Sequence, residues 1–202
     1  MIDLDNWSPL TVEDVNQLFS GAPFDWCLAG GYAVEQFVGR SLRGHGDIDV
    51  VIFRDQQATV RAWLEDWRLY AADSPGKLRL WSEDEYLPVG VHDIWGHRPE
   101  VHAWELQIML QEVDDQTWIF RRDDRIRGSR ASFIDRSGNM PVIRAEIHLL
   151  YKAQHRLSKD EVDFQACLPL LDLGAKDWLR TRLELLYPAG HPWSDALRPS
   201  DE

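Results

Sequence analysis

Two patterns in one chain predict an α/β fold with a mixed sheet and flanking helices, followed by a small helical domain. Up to about residue 140, short β-branched or aromatic runs alternate with helically spaced apolar residues. From Ala145 to about Tyr187 only the helical spacing remains. The stretch between them, Asp135 to Met140, holds one polar turn and no long linker. The expectation is therefore an α/β domain over 1–140 and a helical domain over 141–202, packed closely with a cleft between them.

Each element has a local cause. Thr11-Val12-Glu13-Asp14 reads as a helix start, with Thr11 as cap and acids in the first turn. Val12, Val15 and Leu18 continue that helix. Trp26-Cys27-Leu28-Ala29 is a short buried strand that runs into Gly30-Gly31. Ala33, Phe37 and Val38 then give a helix that Gly39 ends. Ile48 to Phe53 is a second buried strand, and Gln56 to Trp67 an amphipathic helix. Strands are expected at 77–81, 91–95, 101–110 and 117–121, with a turn at Arg136 to Asn139. Three helices follow, marked by Leu149, Leu150, Ala153 and Leu157, by Val162, Phe164, Cys167 and Leu171, and by Trp178 to Tyr187. Pro199 to Glu202 reads as a frayed tail.

The 202 residues are enough to bury a core without staples, and 44% hydrophobic with 28% charged residues is globular composition. Acids outnumber bases 34 to 22, for a net charge of -12. That balance argues against nucleic acid or an anionic membrane surface as partner, and it tolerates a cationic small molecule. Cys27 and Cys167 lie in apolar runs and read as buried free thiols. No basic and apolar leader opens the chain, and no apolar run reaches the ~18 residues of a membrane span, so a cytoplasmic protein is expected.

The chemically informative segment is Leu28-Ala29-Gly30-Gly31, then fifteen residues, then Asp47-Ile48-Asp49. Glycines where a strand enters a helix let a ligand approach the backbone, and the helix-start N–H groups suit phosphate. Asp47 and Asp49 are two apart on a strand, so both project from one face. Two such carboxylates repel unless a cation lies between them, and a hard ion such as Mg²⁺ takes carboxylates together with substrate phosphates. The pair and the glycine turn read together as a metal–nucleotide site.

With Arg43 and His45 just before the acids, these residues resemble the DNA polymerase β-type nucleotidyltransferase superfamily. More narrowly, Ala29 to Ala33, Gly39, Arg43, His45 and Asp47 to Asp49 look like its small adenylyltransferases that act on aminoglycosides or lincosamides. The segments Glu146 to Ala153, Lys159 to Phe164 and His191-Pro192-Trp193 look like that group's helical half. The resemblance implies a nucleotidyltransferase-type sheet, Mg²⁺ on Asp47 and Asp49, and ATP or another nucleoside triphosphate held by Gly30, Gly31, Arg43, His45 and Lys152. A hydroxyl of a small-molecule acceptor would attack the α-phosphorus. The family adds a third acid on a later strand, and its position falls here on Gln107, which cannot act as a base. Glu105 lies two residues earlier and so faces the same side. It is the carboxylate expected to complete the set.

Blander readings accompany these. Arg43 and His45 can be exposed loop residues, Lys152 an exposed helix lysine, and Glu146 a first-turn acid. The arginines from Arg121 to Arg130 read as a solvated face, and His148 and His155 as core or surface histidines. Two other functions fit the same motif: a protein-nucleotidylating, antitoxin-like enzyme, and a nucleotide- or partner-binding relic without turnover. The oligomeric state is not legible.

Overall fold

A computed structural model of the chain describes residues 3–74 and 76–198, so the expected tail at Pro199 to Glu202 lies outside the described residues. The order of elements is α1 (Val12–Leu18), β1 (Trp26–Leu28), α2 (Gly30–Val38), β2 (Asp49–Phe53), α3 (Gln57–Trp63), β3 (Arg68–Ser74), β4 (Lys77–Leu80) and β5 (Asp93–His97). Then come β6 (Leu106–Gln111), β7 (Val113–Asp114), β8 (Thr117–Ile119), β9 (Arg127–Ser129), β10 (Ile134–Asp135) and β11 (Val142–Ile143). Four helices end the described chain: α4 (Ala145–Lys152), α5 (Ser158–Cys167), α6 (Leu173–Leu186) and α7 (Pro192–Ala196).

Eight strands form one mixed sheet in the order β10-β11-β1-β2-β6-β5-β3-β4. Only the β1–β11 and β2–β6 pairs are parallel. Strands β7, β8 and β9 make a separate small sheet. In β2 and β6 the residues from Val50 to Phe53 and Ile108 and Leu110 are buried, as a central pair covered on both faces requires. The thiols of Cys27 and Cys167 are free and buried.

The expected starts and stops have the expected causes. Thr11 accepts from the Asp14 N–H while the Asp14 carboxylate accepts from the Thr11 N–H, a reciprocal cap worth about 1 kcal/mol. Gly39 ends α2 in the left-handed conformation, φ 76°. Three expectations need correction. Residues 101–105 are not strand, because β6 begins at Leu106. Helix α3 is shorter than its apolar pattern and closes at Trp63. Strand β3 was not expected, although it occupies seven residues between β5 and β4. Residues 142–143, beyond the expected boundary at 140, join the main sheet alongside β1. No helix among the described residues is long and apolar enough to cross a membrane.

Candidate active site

Register alone brings several polar groups to one face of the sheet. Asp49 lies opposite Gln107 on β6, and Gln107 lies opposite Trp95 on β5. One row further on, Val51 lies opposite Met109, which lies opposite Asp93. Paired residues share a face, so Asp49, Gln107 and Asp93 look out on the same side. The Gln107 amide donates to Asp93 Oδ1 at 3.1 Å. One oxygen of Asp93 is thereby oriented, and the other has no hydrogen-bond partner among the described residues.

Asp49 is held hard against the start of α2. The Ala29 N–H donates to the Asp49 carbonyl at 2.9 Å. A Cβ built on Gly30 would fall 2.0 Å from Asp49 Oδ2, and Gly30 sits at φ +61°. Only glycine meets both demands. Burial, reinforced by the charges of Asp47 and Asp93, pushes the Asp49 carboxyl up to about 7, against the opposing pull of Lys152 and Lys159. Asp47 is exposed at the rim. No group of three or more His, Cys, Asp or Glu among the described residues could by itself hold a metal ion.

The other glycine explains the loop before β2. A Cβ on Gly31 would meet His45 Cε1 at 2.0 Å and Arg43 Nη2 at 2.7 Å. Both side chains therefore lie over the N-terminus of α2, whose cap Ala29 offers no side-chain oxygen to the free N–H groups. The loop is organised by Glu35, which accepts from the Leu42 and Arg43 N–H groups and approaches His45 Nε2 at 3.0 Å. Those bonds outweigh the cost of its burial and hold its carboxyl down at about 2. Tyr32 packs on the His45 ring at 4.3 Å.

Arg43 and Lys152 converge on one acid of the helical half. Asp163, 1% exposed, takes Arg43 Nη2 at 3.3 Å and Lys152 Nζ at 2.9 Å. Lys152 also reaches Asp160 at 3.2 Å. Its charge is thus shared between two carboxylates, so it is not the exposed helix lysine of the blander reading. Lys159, exposed on the first turn of α5, has no ion-pair partner among the described residues. It acts on Asp49 from outside.

Glu105 does not join this face. It precedes β6, and its carboxylate accepts from the Arg98 backbone N–H at 2.8 Å and from the Arg98 guanidinium. Strand β6 starts one residue too late, at Leu106, for its register to include Glu105. The carboxylate beside Gln107 is Asp93, from the neighbouring antiparallel strand. Glu146, in turn, is bound by Arg144 Nε at 2.6 Å. It borders a separate hollow with Trp118 and Trp178.

The sequence model of the aminoglycoside-2''-adenylyltransferase family matches residues 11–127, which include the glycine elbow, both acids of the Asp-x-Asp pair, and Asp93. The chain belongs to that family. Membership makes it a nucleotidyltransferase enzyme of the antibiotic-modifying kind. Among curated proteins no sequence match is found. Solved structures share the fold at low identity. Lincosamide antibiotic adenylyltransferase LnuA, lincomycin-bound, is 19% identical with TM-score 0.52, over 80% of this chain and 96% of that one. The solution structure of antibiotic-resistance factor ANT(2'')-Ia is 14% identical with TM-score 0.55, over 88% and 91%. The crystal structure of ANT(2")-Ia with adenylyl-2"-tobramycin is 13% identical with TM-score 0.51, over 85% and 95%.

Sequence reasoning missed Asp93, Asp163 and Lys159. Asp93 opens a strand whose neighbour across the sheet could not be deduced without β3 and β5 in place. Asp160 and Asp163 carried a usable signal, since acids three apart on a helix share a face and follow Lys159 directly.

Proposed function

We propose that the protein transfers the nucleoside monophosphate of a nucleoside triphosphate, ATP in the first instance, to a hydroxyl of a small-molecule antibiotic. An aminoglycoside or a lincosamide is the starting expectation. The observation that carries this reading is the half-buried Asp49 carboxylate, set against the glycine start of α2 with Asp47 and Asp93 acting on it.

The residues fit a divalent ion. Asp47 and Asp93 raise the proton affinity of Asp49, and a cation relieves that repulsion. Asp47 and Asp49 would hold it. A pair of carboxylates suits Mg²⁺, an ion that completes its shell with substrate phosphates and water. When bound, the ion supplies charge neutralisation on the phosphate oxygens.

The chain's own groups do the rest. The N–H groups of Gly30 and Gly31 and the partial positive charge of α2 bind phosphate oxygens. Arg43, packed with His45 over Gly31, and Lys159 add positive charge to the same place, while Lys152 also holds Asp160 and Asp163. The acceptor oxygen attacks the α-phosphorus as the bond to the departing pyrophosphate breaks. The free oxygen of Asp93 takes the hydroxyl proton, and Gln107 keeps that carboxylate aimed. Gln107 in the third-acid position thus acts as a positioning residue for an acid supplied from β5.

The experiment is a pyrophosphate-release assay with each nucleoside triphosphate, Mg²⁺, and lincomycin or tobramycin as acceptor. Release with an acceptor, lost in Asp49→Asn, supports the reading. Full turnover in Asp49→Asn overturns it. A rise in melting temperature with Mg²⁺-ATP and no release with any acceptor returns the protein to a binding role.

A further inference from the structure

Gly31 and Glu35 stand one helical turn apart on the same face of α2. Gly31 clears that face, and Glu35 gathers the chain above it. One oxygen of the Glu35 carboxylate accepts from Ser41 Oγ at 3.2 Å, the Leu42 N–H at 2.7 Å and the Arg43 N–H at 3.2 Å, and it lies 3.0 Å from His45 Nε2. Burial raises the proton affinity of Glu35, and those bonds more than reverse this, so the group is ionised. An acid beside a phosphate site repels the ligand, and its place here calls for a reason.

The reason lies in what the His45 ring does. Arg43 Nη1 lies 3.1 Å from His45 Nδ1. A guanidinium only donates, so Nδ1 accepts and the ring carries its proton on Nε2, facing Glu35. Tyr32 packs on the ring and limits its movement. Arg43 has five N–H donors. Nε and one donor of Nη2 go to Asp163 at 3.4 and 3.3 Å, and Nη1 donates to His45 Nδ1 and to the Gly44 carbonyl at 3.4 Å. One N–H, on Nη2, is left without a partner among the described residues. A Cβ on Gly31 would lie 2.7 Å from that nitrogen, so the remaining donor stands over the start of α2.

We propose that Glu35 is a positioning residue for triphosphate binding. Acting through His45, it fixes the tautomer that accepts from Arg43 and so holds the remaining Nη2 donor above Gly31, where a phosphate oxygen meets it. The inference rests on the transfer reading and names the device that aligns its phosphate site. Asp163 on the guanidinium, with Asp47 and Asp49 beside the elbow, offsets much of the arginine's charge. The aim of the donor therefore matters more than the charge it carries.

The test is calorimetric titration of Mg²⁺-tripolyphosphate into the full chain. By charge alone, removing an acid tightens the binding of a polyanion. Glu35→Ala should instead weaken it by about fivefold. Glu35→Gln keeps an oxygen that accepts from the loop and from His45, and it should bind at least as tightly as the parent. Arg43→Ala should weaken binding by about tenfold, and adding Glu35→Ala to it should cost no more than about twofold further, because the acid acts through the arginine. Long-range ¹⁵N NMR of the histidine rings, with His45 assigned by its loss in His45→Gln, should show the proton on Nε2 in the parent and a mixture of tautomers in Glu35→Ala. Equal or tighter binding by Glu35→Ala overturns the proposal, as does weaker binding by Glu35→Gln. So do the same loss persisting in full on Arg43→Ala, a His45 proton on Nδ1 in the parent, and no binding of Mg²⁺-tripolyphosphate at millimolar concentration. Pyrophosphate release judges the transfer reading separately, since its absence with every acceptor removes turnover and leaves the order of these affinities as expected.

Discussion

Replacing Asp49 by Asn should make the metal-free protein more stable while destroying its activity. The carboxyl titrates at 3.8 in an ordinary setting and at about 7 in the fold, raised first by burial and then by Asp47, with Asp93 adding to it. The folded state therefore binds this proton more tightly than the unfolded chain does. Stability is fully present below pH 3.8 and is lost as pH rises through about 7. At pH 7 the linkage amounts to about 4 kcal/mol, and screening at the open side of the group reduces it to roughly 2–4 kcal/mol. Near pH 4 it is about 0.5 kcal/mol. A nearly isosteric amide removes the charge and keeps the contact with Gly30. For a chain of this size each kcal/mol moves the melting temperature by about 2–4 °C, so Asp49→Asn should melt about 4–16 °C higher at pH 7. Melting curves by circular dichroism with chelator, at pH 4, 5, 6, 7 and 8, read the difference directly. Mg²⁺ with ATP should then raise the melting temperature of the parent protein and leave the variant unmoved. A variant that melts at or below the parent at pH 7, or whose advantage grows toward acid, would show that Asp49 is not a strained, charge-crowded carboxylate.

Other substitutions probe the neighbouring parts. Gly30→Ala forces a side chain into left-handed backbone at a cost of about 1–2 kcal/mol and pushes Asp49 aside, with kcat/KM expected to fall by about a hundredfold. Asp93→Asn should lower kcat by about 10²–10⁴-fold while the KM for ATP stays within error, as steady-state kinetics would report; an unchanged kcat removes Asp93 as the base. Glu105→Gln should leave kcat intact and cost about 1 kcal/mol in urea unfolding, because it removes the charge that the half-exposed Arg98 guanidinium pairs with; a collapse of kcat would restore Glu105 to the site. Lys152→Met leaves Asp160 and Asp163 buried with one counter-charge fewer. About 3 kcal/mol of stability should go with it in the same unfolding assay.

Much of the architecture was legible because it depends on local causes. The Thr11–Asp14 cap, the glycine stop at Gly39 and the apolar run of β2 each carry their own signal, and each element lies where that signal put it. The helical stretch after Ala145 was legible for the same reason, although Leu157 and Val162 proved exposed while Leu149, Phe164 and Cys167 are buried. Strand β3 was not legible because Arg68 to Ser74 mixes charged and small residues, and only its place between β4 and β5 makes it a strand. The site shows the same divide. Asp47, Asp49 and the glycines are close in sequence and form a pattern. The Gln107–Asp93 bond joins residues on different strands, and no spacing rule reaches across an antiparallel pair whose register is unknown. The placing of Glu105 turned on strand length: the expected strand began five residues before β6 does, so a carboxylate that the structure ties to Arg98 was put on the face of Gln107.

Asp163 grips an arginine 120 positions upstream and a lysine on the preceding helix, with almost no water around it. The loop between α2 and β2 is thereby clasped by the later helices of the chain. Recombining this molecule with a relative by exchanging everything after the sheet would cut that clasp unless Arg43, Lys152 and Asp163 were transplanted as a set.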